Sequence, residues 1–252
     1  MPRKLRIETL GYHHVYNRGV AKGNVFLDEH DKVKFIELLA NVAREYKFNI
    51  HSFCLMDNHY HLLIENRREN LSLGMRQLNA RYARYFNKQH NRVGHLWQDR
   101  YKSWYVLDKK YLFTLFRYIE NNPIRAKISE KIGEYKYCAT YSIFKDAIPS
   151  FLENTFVLRD YPMNELLKRL VVPLSEAEKQ TIDSFHQNKY KCEDGIVSAL
   201  HVEKVENYFL HVSTKHERNL AIKKAFADGY TKSQIARNTF LSVAGVSKIL
   251  KS

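Results

Sequence analysis

The chain has 252 residues, 44% of them hydrophobic, and a formal charge of +14. That apolar content supports one large domain or two small ones. The basic excess favours a polyanionic partner, nucleic acid before membrane, and no apolar run approaches a membrane span.

The charge is uneven: residues 1–130 carry 23 Lys+Arg against 13 Asp+Glu, a net +10, and the remainder carries +4. Seventeen Tyr and fourteen Phe accompany the cations. Such aromatics can stack on unpaired bases, although they fill ordinary cores equally well. Cys54, Cys138 and Cys192 are far apart and form no Cys-x-x-Cys, so a reducing compartment is expected. The start, Met1-Pro-Arg-Lys-Leu-Arg, lacks the apolar segment of a signal peptide. A cytoplasmic, nucleoid-associated protein is the expectation.

Residues 12–18 predict a first strand, followed by a loop bearing Gly19 and Gly23. Asp28 or Asp31 can cap a helix whose apolar stripe is Phe35, Leu38, Leu39, Val42 and Tyr46. Residues 48–65 read as a β-hairpin with a tight polar turn at Asp57-Asn58. Side chains two apart on a strand share a face. His59 and His61 therefore project together, with Glu65 further along, while Tyr60, Leu62 and Ile64 point into a core. Two imidazoles side by side on a stiff strand form a ready pair of metal ligands. Glu65 is more plausibly a solvated strand end than a support for that pair.

A second helix is expected over about Ser72–Gln89, buried through Leu71, Met75, Leu78, Tyr82 and Tyr85. Arg81, Arg84 and Lys88 form a basic stripe on it, either solvated or in contact with phosphates. Gly94–Val106 alternates and reads as a strand with Gln98, Arg100 and Lys102 on one side. A third helix starts after Asp108 and is stopped by Pro123. On it Tyr118 and Asn122 lie four apart, which suits a nucleophile beside a metal ligand. The resulting β-α-β-β-α-β-α order predicts an α+β fold, an antiparallel sheet with helices packed on it.

Residues 146–210 carry short helical patterns and no evident chemistry, so a helical connector is expected between a domain at 1–145 and another at 211–252. In the last stretch Glu217–Asp228 predicts a helix ended by Gly229. Thr231 caps Lys232–Asn238, and Ser242 caps a final helix that presents Ser247, Lys248 and Lys251. This pattern reads as a helix-turn-helix in an all-α part. A plain three-helix bundle for protein contact is the alternative.

Two of these segments together resemble a known family. His59-Tyr60-His61 followed by Leu-Leu-Ile-Glu is similar to the HUH motif of single-tyrosine transposases. Arg117-Tyr118-Ile119-Glu120-Asn121-Asn122-Pro123-Ile124-Arg125-Ala126 resembles the tyrosine helix of their REP-associated branch. Tyr16-Asn17-Arg18-Gly19 and the Leu96–Ser103 stretch match in place and character, so the likeness covers about residues 8–140. It implies a ferredoxin-like or RRM-like sheet and a 5′-phosphotyrosyl link to single-stranded DNA.

On that reading Tyr118 is the nucleophile, His59 and His61 are metal ligands, and Asn122 is the third. Arg81, Arg84, Lys88, Arg100, Lys102 and Lys248 are candidate DNA contacts. Two imidazoles and an amide leave positions open for phosphate and water, which fits Mg²⁺ or Mn²⁺, although imidazoles suit softer metals. The expected partners are single-stranded or hairpin DNA, with duplex DNA possible at the C-terminal helices, in a monomer or homodimer. A non-catalytic DNA-binding regulator is the competing reading. A zinc protein is a weaker one, for want of a third ligand at zinc-motif spacing.

Overall fold

A computed structural model describes residues 9–106, 110–187, 208–210, 212, 214–227, 232–239 and 241–250. Contacts divide the chain into two compact units, one of residues 8–184 and one of 1–7 with 185–252.

In the larger unit β1 (Gly11–Arg18), α1 (Glu29–Tyr46), β2 (Phe48–Met56), β3 (His59–Asn66), α2 (Leu71–Gln89) and β4 (Lys102–Tyr105) follow in order. The strands make one antiparallel sheet ordered β2-β3-β1-β4, an α+β arrangement with the β-α-β-β-α-β connectivity of a ferredoxin-like unit. Asp28 rather than Asp31 caps α1, accepting the Asp31 N–H at 2.9 Å. The Asp57-Asn58 turn joins β2 to β3 as expected. Its two carbonyls accept N–H groups from Gly19, Val25 and Phe26, which ties the loop after β1 to the hairpin tip.

Each sheet face has its own cover. Tyr60, Leu62 and Ile64 of β3 pack with Phe35, Leu39 and Val42 of α1 and Met75, Leu78 and Tyr82 of α2. The approach of α2 to β2 depends on Gly74, where a Cβ would meet the Phe48 ring at 2.4 Å. Phe48 is itself buried. Gly74→Ala is therefore expected to lose about 1–3 kcal/mol by overpacking, despite the better helix propensity of alanine. A urea melt reads this, and a stabilised variant would contradict it.

β2 reaches both faces correctly only through a bulge. Ile50 pairs with Ile64 but Ser52 pairs with Leu63, leaving His51 as the extra residue. Beyond it Phe53 and Leu55 join the α1/α2 side, while Cys54 and Met56 join the other. His51 is fully buried, and its Nδ1 accepts the Phe156 N–H at 3.1 Å. Burial lowers its pKa to about 4, against the opposing pull of Glu65. The folded value lies below the ordinary one near 6.5, so folding favours the neutral ring. That contribution is complete above pH 6.5 and is lost as pH falls towards 4, in total about 3 kcal/mol. His51→Asn keeps an acceptor but cannot protonate. Urea melts at pH 7 and 4.5 should lose less stability in this variant than in wild type.

The second face is covered by α3 (Lys110–Glu120), α4 (Asn122–Arg125), α5 (Ala139–Phe144), α6 (Phe156–Asp160), α7 (Met163–Leu170) and α8 (Glu176–Gln187). Phe156, Val157, Leu166, Leu170 and Ile182 bury with Leu112, Leu115 and Phe116 of α3. The stretch beginning at 146, expected as a connector, is thus part of this unit's core as far as residue 184. Residues 188–207 of that expected connector lie outside the described residues.

Two further expectations are corrected. The predicted strand Gly94–Val106 contracts to Lys102–Tyr105. Before it the chain loops, Trp97 bridging Gly19 and donating its indole N–H to the Asn79 carbonyl at 3.0 Å. Gln98, Arg100 and Lys102 therefore share no strand face. Pro123 does not end α3, which stops at Glu120; it lies in the first turn of α4, a position that tolerates proline. The Asp108 cap falls outside the described residues.

The smaller unit contains helices Lys215–Ala227, Lys232–Thr239 and Val243–Ile249. They bury Ile222, Ala225, Ile235, Ala236 and Val246 together. Ser242 caps the last helix, accepting the Gly245 N–H at 3.0 Å. Gly229, Thr231 and Lys251 lie outside the described residues. Among the described residues no helix is long and apolar enough to cross a membrane.

Candidate active site

The sheet face under α3 carries His59 and His61. In the register His59 lies opposite Arg18 and Met56, and His61 opposite Tyr16 and Cys54. Their ring centroids are 5.1 Å apart. His59 Nδ1 lies 2.6 Å from Asn58 Oδ1. The Asn58 amide is oriented by its other end, because Nδ2 donates to the Lys22 carbonyl at 3.1 Å. Oδ1 can only accept, so the ring proton of His59 sits on Nδ1 and Nε2 keeps its lone pair. Burial, and secondarily Arg18, lower the pKa of His59 to about 4, with Asp57 opposing. A neutral imidazole with a bare Nε2 is the form that binds a metal.

His61 is buried, and its Nδ1 lies 2.9 Å from Nε2 of His14 on β1. α3 lays the buried Tyr118 across both rings, its centroid 6.2 Å from His61 and 6.1 Å from His14, edge-on to each. The Arg125 guanidinium of α4 sits 5.1 Å from the centre of the Tyr118 ring. Tyr16 stacks on Trp104 at 4.8 Å, nearly parallel, and lies 5.7 Å from His61. Lys102 Nζ is 5.7 Å from the Tyr16 ring. One chain thus brings Tyr118, His59, His61, His14, Tyr16 and Arg125 to one patch.

Glu120, two residues beyond Tyr118, anchors the helix. Its carboxylate accepts Ser52 Oγ–H at 2.6 Å, Thr140 N–H at 3.0 Å and Thr140 Oγ1–H at 2.6 Å, all buried. Burial raises its pKa to about 7 against the pull of those donors.

Asn122 turns its amide nitrogen back on its own helix. Nδ2 donates to the carbonyls of Tyr118 and Ile119, each at 3.0 Å. The Ile119 carbonyl is the one Pro123 cannot serve, so Asn122 supplies the missing donor. Glu65 is neither a solvated end nor a support for His61. It accepts the Asn49 amide at 2.6 Å and lies 3.6 Å from His51 Nε2.

Other candidates lie elsewhere. Arg81, Arg84 and Lys88 belong to α2, across the sheet from the imidazoles, and Arg81 pairs with Glu45 at 3.1 Å. Arg100 is exposed in the loop before β4, and Lys248 is exposed in the smaller unit. A cleft of about 300 Å³ that sequence reasoning missed is lined by Arg44, Lys47, Arg67 and Phe48. It sits at the opposite end of the hairpin from the imidazole pair, where Phe48 meets Asn66.

Asp28, Asp31 and His90 bring one ligand atom each within 4.8 Å of one another and could hold a cation. Those atoms already have work, however. Asp28 caps α1, and Asp31 accepts the Leu27 N–H at 2.8 Å and holds His90 at 3.0 Å. The trio clamps the start of α1 to the end of α2.

His14, Asn58, Tyr16 and Arg125 received no role from sequence. The signal for His14 and Tyr16 was present in the alternation of β1, which sends Tyr12, His14 and Tyr16 to one face. Using it required the register of β1 against β3.

Among curated protein sequences none matches this chain. Among solved structures, a REP-associated tyrosine transposase bound to a REP hairpin is similar at 14% identity, with 59% of this chain and 88% of that chain covered and a TM-score of 0.46. A putative transposase from Deinococcus radiodurans R1 shares 20% identity, covering 48% and 92%, at a TM-score of 0.34. The tRNA(His) guanylyltransferase of Saccharomyces cerevisiae shares 10%, covering 73% and 80%, at 0.36. These superpositions are loose, and the likeness rests on the sequence. Residues 7–122 match the model of the family described as IS200-like transposases, a span containing both the histidine pair and Tyr118. Over that segment, somewhat under half of its length, the chain is similar to IS200-like transposases.

Proposed function

We propose that the larger unit cleaves single-stranded DNA and transfers the strand through a 5′-phosphotyrosine on Tyr118, as a REP-type transposase acting on hairpin-bearing ends. The observation that carries this reading is the Tyr118 ring 6.2 Å from His61, on the face where His61 and His59 project together.

The donor set fits a divalent cation: His59 keeps a bare Nε2, and Asn122 carries an amide oxygen. A bound Mg²⁺ or Mn²⁺ would neutralise charge on the scissile phosphate. The chain's own residues do the rest. The Tyr118 oxygen attacks phosphorus and loses its proton to solvent, the P–O3′ bond breaks, and the departing 3′ oxygen takes up a proton from solvent to leave as a free 3′-hydroxyl. The phosphodiester energy is retained in the new bond, so rejoining to another end needs no ATP. Free tyrosine is a weak nucleophile with a pKa near 10. Arg125 beside its ring offers a cation to the approaching phosphate. Tyr16 stacked on Trp104, with Lys102 above, offers a ring and a cation to an unpaired nucleotide.

In the smaller unit the Ser242-capped helix with exposed Lys248 suits a duplex backbone, as in a helix-turn-helix. The test is incubation of the full chain with single-stranded oligonucleotides from the DNA flanking its gene, with Mg²⁺ or Mn²⁺, on a denaturing gel. A covalent protein–DNA band that chelation prevents is the expected result. Binding with neither adduct nor cleavage would replace this reading with a non-catalytic regulator.

A further inference from the structure

Cys54 of β2 and Cys138, the residue before α5, face each other across an isolated antiparallel bridge. The Leu55 N–H donates to the Tyr137 carbonyl at 3.0 Å. That bond runs from the residue after Cys54 to the residue before Cys138, so it brackets the two cysteines instead of joining them. Bracketed pairs are the closer kind in an antiparallel ladder, with Cα atoms about 4.5 Å apart and side chains drawn together. Disulfides span Cα separations of about 4.4–6.8 Å. The backbone therefore already holds these residues at bridging range. Both thiols are free and buried, and Cys54 Sγ lies 3.6 Å from Met56 Sδ.

We propose that Cys54 and Cys138 are a redox modification site, at which a peroxide closes a reversible disulfide that staples β2 to the start of α5. The two ends have consequences. Cys54 lies opposite His61 in the β2–β3 register. Thr140, two residues after Cys138, donates its N–H and Oγ1–H to Glu120 at the end of α3. The staple thus ties the strand beside the imidazoles to the segment that anchors the Tyr118 helix. One thiolate sulfur attacks the peroxide O–O bond, giving a sulfenic acid and one water. The second thiol displaces the sulfenic oxygen as another water. Two thiols lose two electrons in all, and the peroxide gains them. Burial, and then the contact with Cys54, raise the pKa of Cys138. Its thiolate is therefore scarce at neutral pH, and closure is slow there and faster in alkali.

The test exposes the folded full chain to hydrogen peroxide at pH 7 and 8.5, then alkylates it in denaturant for peptide mapping. The expected product is a peptide pair linked through Cys54 and Cys138, formed faster at pH 8.5, with Cys192 still alkylated. The oxidised protein should unfold at about 1–2 M more urea than the reduced one, and dithiothreitol should reverse both changes. Cys138→Ala and Cys54→Ala should each prevent the link, while Cys192→Ser leaves it unchanged. Three outcomes overturn the proposal: Cys54 and Cys138 still alkylated at pH 8.5, sulfinic or sulfonic acids there without a link, or a link made to Cys192. A Cys54–Cys138 link that lowers the urea midpoint overturns the staple, because the bridge then strains the fold it joins.

Discussion

Tyr118→Phe is expected to abolish the covalent protein–DNA band altogether while leaving the protein folded and able to bind the oligonucleotide. The substitution removes one oxygen and keeps the ring that contacts His61, His14 and Arg125. Loss of a single hydroxyl hydrogen bond costs about 1 kcal/mol, a minor fraction of a domain's stability. The chemistry has no comparable reserve. A covalent intermediate needs its nucleophile, and none of the other rings in the patch is placed like it. Tyr16 is stacked against Trp104 under Lys102, and Tyr12 lies further along β1 towards Glu65, its partner in the register. A denaturing gel read alongside a binding assay separates the two effects. An adduct of undiminished yield in Tyr118→Phe would mean that another residue attacks, and the catalytic account would fail. An adduct lost together with binding and with the circular dichroism signal would place Tyr118 in the fold rather than in the reaction.

What the sequence disclosed followed from how local each feature is. The hairpin was legible because its information is short-range: two alternating runs around Asp57-Asn58 set the register, and the register places His59 beside His61. α1 and α2 were legible from their apolar stripes. The loop before β4 was misread because alternation of aromatic and polar residues there has another cause. Trp97 reaches the Asn79 carbonyl, and the polar neighbours face solvent. The stretch after residue 146 was read as a connector because no chemistry marks it, yet its apolar residues cover the sheet face that holds the site. His14 was invisible for a different reason. Its meaning lies in a contact between residues 47 apart, which only the β1–β3 pairing creates. Asn122 shows the converse: its spacing from Tyr118 was legible, but not that Pro123 would turn its nitrogen inward to serve the backbone.

Glu120→Ala is expected to be the most destabilising single change near the site, and to damage the reaction beyond its cost to stability. Glu120 joins three elements at one buried point: Ser52 on β2, Thr140 at the start of α5, and its own position at the end of α3. Truncation strands two hydroxyls and a backbone N–H in the core, and it opens a void the size of the lost carboxyl arm. Unsatisfied buried donors cost about 1–3 kcal/mol each, part of which the hydroxyls recover by rotating. A loss of about 3 kcal/mol overall follows. Glu120→Gln offers an oxygen to Thr140 and an N–H to Ser52, so it should lose only about 1 kcal/mol. The bulge at His51 enters the same argument, because without it Ser52 would face α1 and α2, and Glu120 would have no partner on the sheet. Tyr118 is two residues from this anchor, and a nucleophile displaced by about 1 Å can lose about a hundredfold in rate. Glu120→Ala assayed well below its melting temperature should therefore form the adduct at least tenfold more slowly, with Glu120→Gln close to wild type. Urea melts and adduct time courses on the two variants measure both halves. An Ala variant as stable as wild type would show that α3 is held by its apolar face alone, through Leu112, Leu115, Phe116 and Ile119, and that the nucleophile's position owes nothing to the buried carboxylate.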